Sequence, residues 1–310
     1  MKLPAGGHAG HDLPAFEGVP DGGRVAVLGA GTMGRGIAQV AAAAGFHVIL
    51  HDRDPAALAR GLDHVEVTLA RGVELGKVSA PARDATRARL HAASGLAMAL
   101  EDVDLVVEAI PEVLEWKSDL FREVEALVSP SALIATNTSS LSISALGEGM
   151  ASPQRFLGLH FFNPVHIMAL VEVVYGSSTH PSAVEAALDV VHRMGKEPIV
   201  VKDSPGFASS RLGVLLGLEA IRMVEEGVAS AEHIDGAMEL GYRHPMGPLR
   251  LTDLVGLDVR LGIAEYLHTT LGSEAFRPPE LLRRMVEEGH LGKKAGRGFY
   301  PWNSEEEGTK

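Results

Sequence analysis

The 310-residue chain has no cysteine, which excludes disulfides, thiolate nucleophiles and cysteine-bound metals and is compatible with a reducing interior. Positive charge is scarce as well: 28 Lys and Arg stand against 40 Asp and Glu, for a formal net charge of -12. No clustered basic segment with interleaved aromatics offsets that balance. An extended nucleic-acid surface is therefore excluded, and anionic ligands have to be held by a few local groups. Long apolar runs are missing too, since none approaches the ~18 residues needed to span a bilayer. The expectation is a cytoplasmic protein with neither a membrane nor a nucleic-acid partner.

The first twenty residues, MKLPAGGHAGHDLPAFEGVP, are rich in Gly and Pro and lack the apolar centre of a signal peptide. They read as a flexible extension over residues 1–20. His8 and His11 belong to that extension rather than to a metal site, and no metal is expected.

The stretch RVAVLGAGTMGRGIAQVAAAAGFHVILHDRD, residues 24–54, is rich in glycine at one place. Arg24 to Leu28 reads as a short buried strand, Thr32 to Ala44 as an alanine-rich helix ending at Gly45, and His47 to Leu50 as a second strand. In such a βαβ unit Gly29 permits the tight turn, Gly31 lets the backbone approach a pyrophosphate, and Gly34 lets helix and strand pack closely. The helix N-terminus, at Thr32 and Met33, offers N–H groups to phosphates. Asp52 stands about 20 residues beyond the glycines, where a carboxylate accepts from both ribose hydroxyls of an adenosine. Glycine-rich turns also occur in ordinary loops, and Asp52 is what tips the reading to a dinucleotide.

Further along, strand-like and helix-like segments alternate, as in a parallel sheet covered by helices. DLVVEAI (Asp104 to Ile110) and ALIATN (Ala132 to Asn137) are apolar enough for central strands. RFLGLHFFNP and ALVEVVYG follow too closely for a helix of normal length between them, so the sheet is expected to turn antiparallel there. From Arg211 to Leu291 the segments have helical period. The expected fold class is α/β: a Rossmann-type dinucleotide-binding sheet over residues 21–203, followed by a smaller all-helical C-terminal domain over residues 204–310.

Oxidation of a secondary alcohol by hydride transfer requires a base for the hydroxyl proton, and histidine titrates in the right range. Of the 14 histidines, His160 stands out because Glu172 follows it in the adjoining strand of a hairpin-like excursion. A carboxylate there fixes the ring tautomer and stabilises the imidazolium. A half-buried histidine with a satisfied hydrogen bond has the same pattern.

GAGTMGRGIA, VVEAIPE, NTSSLSI, GLHFFNPVHIMALVEVV, KDSPGF, GYRHPMGPLRLTDLVGLD and GKKAGRGFY occur in that order. Together they resemble the L-3-hydroxyacyl-CoA dehydrogenase family in its short 3-hydroxybutyryl-CoA form, over about Arg24 to Trp302. The resemblance implies NAD as cofactor, an acyl-CoA substrate, reversible oxidation of a (3S)-3-hydroxyacyl-CoA to the 3-ketoacyl-CoA, and a homodimer formed through the C-terminal helices. It assigns His160 and Glu172 to the catalytic histidine and its glutamate partner. Ser139 becomes a contact to substrate and nicotinamide, although NTSS ahead of an apolar segment is also an ordinary helix cap. Glu112, Lys117 and Asn163 match cofactor-contacting positions; by themselves the first two read as a solvated helix face and the third as a turn residue before Pro164.

For the coenzyme A phosphates, TLARGVELGKVS offers Thr68, Arg71 and Lys77. Family members commonly carry a lysine where this chain has Leu75, so Lys77 reaches instead or the contact is absent. Lys293 and Lys294 read as fastening the tail. The family's asparagine before Arg211 is replaced by Ser210, which is read as a substrate contact, with capping of the following helix by Ser209 and Ser210 as the alternative. Rival readings are a related substrate such as 3-hydroxyadipyl-CoA, a free hydroxy acid, or a non-catalytic NAD-binding protein on the same fold.

Overall fold

Val25, Ala26 and Val27 are wholly buried, which is what a strand covered on both faces requires. Their strand, β1 (Arg24–Leu28), lies inside an eight-stranded sheet. The computed structural model describes Phe16 and residues 18–302. The expected extension, with His8 and His11, lies outside the described residues for the most part. Its end is a correction: Val19 is buried in the core, the Phe16 amide donates to Ser182 Oγ at 3.1 Å, and Arg193 donates to the Val19 and Pro20 carbonyls at 2.5 and 2.8 Å. Residues 18–20 are thus held by the body of the fold, because Val19 removes apolar surface from water and Arg193 satisfies the backbone around it.

The chain divides into two compact units, Met1–Ser204 and Pro205–Lys310. In the first, the remaining strands are β2 (His47–His51), β3 (Leu90–Ala93), β4 (Leu105–Glu108), β5 (Leu133–Thr136), β6 (Phe156–Phe161), β7 (Leu170–Tyr175) and β8 (Glu197–Lys202). Their order is β3-β2-β1-β4-β5-β6-β7-β8. Every neighbouring pair is parallel except β6 and β7, so the antiparallel turn falls where the short connection demands it. Helices α1 (Thr32–Ala43), α2 (Pro55–Glu74), α3 (Ala80–Arg89), α4 (Leu96–Ala99), α5 (Leu114–Leu127), α6 (Ile143–Gly147) and α7 (Pro181–Arg193) intervene. The core they share with the sheet includes Ile37, Phe46, Leu50, Leu105, Leu159, Val173 and Val190.

The second unit is built from α8 (Ser209–Glu225), α9 (Ala231–Tyr242), α10 (Pro248–Val255), α11 (Leu257–Leu271) and α12 (Glu280–Glu287). Leu218, Ile221, Leu249, Leu257 and Leu282 are fully enclosed in its core. Two buried carboxylates fasten its closing segment. Asp253 accepts from the Phe299 and Tyr300 amides and the Trp302 indole, and Asp235 from the Tyr300 hydroxyl at 2.8 Å. Lys294 pairs with Asp258, and Lys293 lies over the Trp302 ring.

Candidate active site

The turn between β1 and α1 has the backbone that its glycines permit. Gly29 has φ +105°, and a Cβ there would meet the Ala109 carbonyl oxygen at 2.6 Å. A Cβ on Gly34 would fall on the Gly29 carbonyl oxygen, whereas one on Gly31 would meet nothing within 4 Å. The first and third glycines therefore serve packing, and the second faces open space beside Thr32 and Met33. Gly31 is the N-cap of α1 and carries no side-chain cap, so the helix presents its first N–H groups there. Asp52, beyond β2, accepts from the Ala30 amide through Oδ2 at 2.8 Å and from the Asp54 amide through Oδ1 at 2.9 Å. It is thereby fixed beside the glycine turn. An open backbone cradle, an uncapped helix end and a held carboxylate fit the pyrophosphate and ribose of a dinucleotide.

The next two strands carry a buried ionic network. Glu108, at the end of β4, is fully buried and accepts from Lys117 Nζ at 2.5 Å, the Ile110 amide at 2.6 Å and Thr136 Oγ1 at 2.6 Å. Burial pushes its carboxyl above the ordinary range, against the pull of Lys117. Lys117 also meets the Ile110 carbonyl at 3.2 Å and Glu112 Oε2 at 3.3 Å. Its side chain is only 1% exposed. Three acceptors inside the protein take its ammonium, so the solvated helix face that its sequence context suggests is not what the fold makes of it.

Glu112 is half-exposed and turns its other oxygen to the loop after β5. Oε1 accepts from Thr138 Oγ1 at 2.5 Å and from the Ser139 and Ser140 amides at 2.9 and 3.2 Å. The Ser139 hydroxyl stands 3.4 Å from the same oxygen. Burial raises the Glu112 pKa, but Lys117 and these donors outweigh it and hold the carboxyl below its usual range. Ser139 does not cap α6, whose N-cap is Ser142.

His160, on β6, is directly paired with Glu172 on β7, and Nδ1 lies 2.7 Å from Glu172 Oε2. Glu172 is fully buried and the His160 side chain is 8% exposed. A carboxylate that is ionised only accepts, and beside it Nδ1 would carry the shared proton and leave Nε2 as the ring's second nitrogen. The Phe162 ring packs on the imidazole at 4.4 Å. Asn137 Oδ1 accepts from the Phe161 amide at 2.9 Å, which ties the Ser139 loop to the strand that carries His160. Asn163 follows, exposed and joined to Pro164 by a cis peptide. Lys196 donates to the Val165 and Met168 carbonyls at 2.6 and 2.8 Å and so anchors the rest of that loop.

The residues expected at coenzyme A lie on and after α2. Thr68 donates to the His64 carbonyl at 2.9 Å, exposed Arg71 pairs with Glu74 at 3.0 Å, and Lys77 is exposed in the turn that follows. Ser210 is the second residue of α8. Ala208 is the N-cap and makes no side-chain cap bond, so Ser210 does not stand at the cap position. Sequence reasoning missed Glu108, Thr136 and Thr138. The available signal was the Glu in VVEAIPE, a carboxylate closing an otherwise apolar strand.

The model of the 3-hydroxyacyl-CoA dehydrogenase NAD-binding domain matches residues 24–204, and that of the C-terminal domain matches residues 206–302. The chain is 45% identical over 276 residues to a probable 3-hydroxybutyryl-CoA dehydrogenase of Deinococcus radiodurans, covering 89% of this chain and 99% of that protein. It is 42% identical over 284 residues to the 3-hydroxyadipyl-CoA dehydrogenase of Escherichia coli K12, covering 91% of this chain and 60% of the relative. The crystal structure of (S)-3-hydroxybutyryl-CoA dehydrogenase from Ralstonia eutropha superposes with a TM-score of 0.87 at 39% identity, covering 91% of this chain and 99% of that one. On both domain models and on identity over nearly its whole length, the chain belongs to the NAD-dependent 3-hydroxyacyl-CoA dehydrogenase family.

Proposed function

We propose that this chain catalyses the reversible NAD-linked oxidation of a short (3S)-3-hydroxyacyl-CoA, with 3-hydroxybutyryl-CoA as substrate. The observation that carries the reading is the His160–Glu172 pair, a histidine held in one tautomer by a buried carboxylate. His160 Nε2 removes the 3-hydroxyl proton during oxidation and returns it during reduction, and Glu172 stabilises the imidazolium between the two. NAD, when held at the glycine turn and Asp52, would supply the hydride acceptor. The Ser139 hydroxyl polarises the substrate oxygen, Asn163 orients the nicotinamide, and Ser210 positions the thioester end.

Gly29, Gly31, Thr32, Met33, Gly34 and Asp52 hold the dinucleotide. Thr68, Arg71 and Lys77 meet the coenzyme A phosphates, with Arg71 exchanging Glu74 for phosphate. The helical unit serves as a homodimer interface: Leu240 and Tyr242 on α9 are 87% and 76% exposed, apolar surface that a second copy would cover. Among the described residues no helix is long and apolar enough to cross a membrane, and the cytoplasm is the proposed location.

Consumption of NADH with acetoacetyl-CoA tests the reading. A binding module binds NADH without oxidising it, and a free hydroxy acid dehydrogenase is not inhibited by free coenzyme A. Comparing 3-ketoacyl-CoA substrates of increasing length, with and without a terminal carboxylate, separates the butyryl from the adipyl substrate. Light scattering of Leu240→Glu against the parent chain tests the dimer.

A further inference from the structure

Glu108 and Lys117 form an ion pair whose side chains are fully enclosed, one residue's reach from the Glu112 carboxylate. A buried ion pair is a poor source of stability, because desolvation offsets its attraction and apolar residues of similar size serve a core as well. Their geometry points elsewhere. Lysine has three donors, and all three are directed: to Glu108 Oε1 at 2.5 Å, to the Ile110 carbonyl at 3.2 Å and to Glu112 Oε2 at 3.3 Å. Glu108 is itself fixed by the Ile110 amide and Thr136 Oγ1. The ammonium therefore has one position. Glu112 spends one oxygen on that ammonium and the other on Thr138 and the Ser139 and Ser140 amides.

We propose that Glu108 and Lys117 are positioning residues for the reaction: they fix the Glu112 carboxylate, which in turn sets the peptide and hydroxyl of Ser139 against the substrate oxygen. The inference rests on the reading of Ser139 as a substrate contact. Without Glu108, the ammonium moves wholly toward Glu112 and draws that carboxylate off the loop. Without Lys117, Glu112 is free to rotate, and its carboxyl titrates at higher pH because burial is no longer opposed by a neighbouring cation.

The test uses the full chain, acetoacetyl-CoA and NADH. Glu108→Gln keeps the shape and removes the charge; kcat is expected to fall about 10-fold to 10²-fold, the scale of a small misplacement at the reacting centre, while the Kd for NADH stays unchanged. Because Glu108→Gln leaves a buried ammonium without its nearer anion, Glu108→Gln/Lys117→Met removes both charges of the pair. In that variant the melting temperature is expected to recover, kcat to stay low, and the acid limb of the pH profile of kcat to move to higher pH. Recovery of kcat together with the melting temperature, with an unmoved acid limb, would mean that the pair is only structural and overturns the proposal. Ser139→Ala keeps the two readings apart. Full turnover there removes the serine from the mechanism and the proposal with it; slow turnover there beside a fast double variant overturns the positioning role alone.

Discussion

His160 and Glu172 occupy directly opposed positions of the antiparallel β6–β7 ladder, with imidazole Nδ1 2.7 Å from carboxylate Oε2. The pairing is set by backbone register, since side chains opposed across an antiparallel pair project to the same face ~5 Å apart. A one-residue slip would send them to opposite faces. Replacing His160 by Gln is expected to lower turnover by roughly 10²-fold to 10⁴-fold, the usual contribution of a general base, and to leave NADH affinity nearly intact. Glu172→Gln is expected to cost less, since it disturbs only tautomer and orientation. Steady-state kinetics beside NADH titration checks both, and an unimpaired His160→Gln enzyme removes the histidine from the mechanism.

Cofactor choice follows from Asp52, whose carboxylate is held by two backbone amides and would repel the 2′-phosphate of NADP. The neighbouring Arg53 lies over the Trp116 ring at 5.2 Å, a placement that engages its guanidinium elsewhere. The expected catalytic efficiency is higher with NADH than with NADPH, and Asp52→Asn should narrow the gap because it removes the negative charge that repels the 2′-phosphate. Equal or better efficiency of the parent enzyme with NADPH refutes the assignment.

Glu112 gives a pH dependence of stability. Its folded-state pKa lies below the unfolded value, so its contribution is complete above the unfolded carboxylate pKa of about 4.3 and is lost as pH falls through the folded value. Denaturant melts at pH 7 and near pH 4 are expected to show a smaller acid loss in Glu112→Gln than in the parent chain. An equal loss in both would show that Glu112 does not carry this linkage.

Much of this architecture is written in local pattern, and what escapes reading does so for physical reasons. The buried runs of β4 and β5 and the glycine turn announce themselves by continuous apolar residues and backbone freedom. The twelve residues from His160 to Glu172 are legible because a short connection forces the strands antiparallel. Leu90–Ala93, in contrast, is a half-exposed edge strand of sequence LHAA, without the β-branched density that marks a strand. Lys117 reads as a solvated helix face because its burial depends on a carboxylate nine positions away in another element. Helical period also hides the α8 start: two serines suggest a cap, while the chain places Ala208 there.

That last departure sharpens the prediction for Ser210. A capping serine would make Ser210→Ala cost about 1 kcal/mol of stability, but Ser210 is the second residue of α8, beyond an N-cap that makes no side-chain bond. The melting temperature of Ser210→Ala is therefore expected to match that of the parent chain. Serine offers one donor where an amide offers two, so contact with the thioester requires close approach or a bridging water. If Ser210 meets substrate, Ser210→Ala raises the KM for acetoacetyl-CoA or lowers kcat without a change in stability. Ser210→Asn should remain active if Ser210 meets substrate, because the amide keeps both a donor and an acceptor at this position. A well-folded but inactive Ser210→Asn enzyme would show that the site is built around the shorter hydroxyl, and unchanged kinetics in Ser210→Ala would take the residue out of the substrate's path.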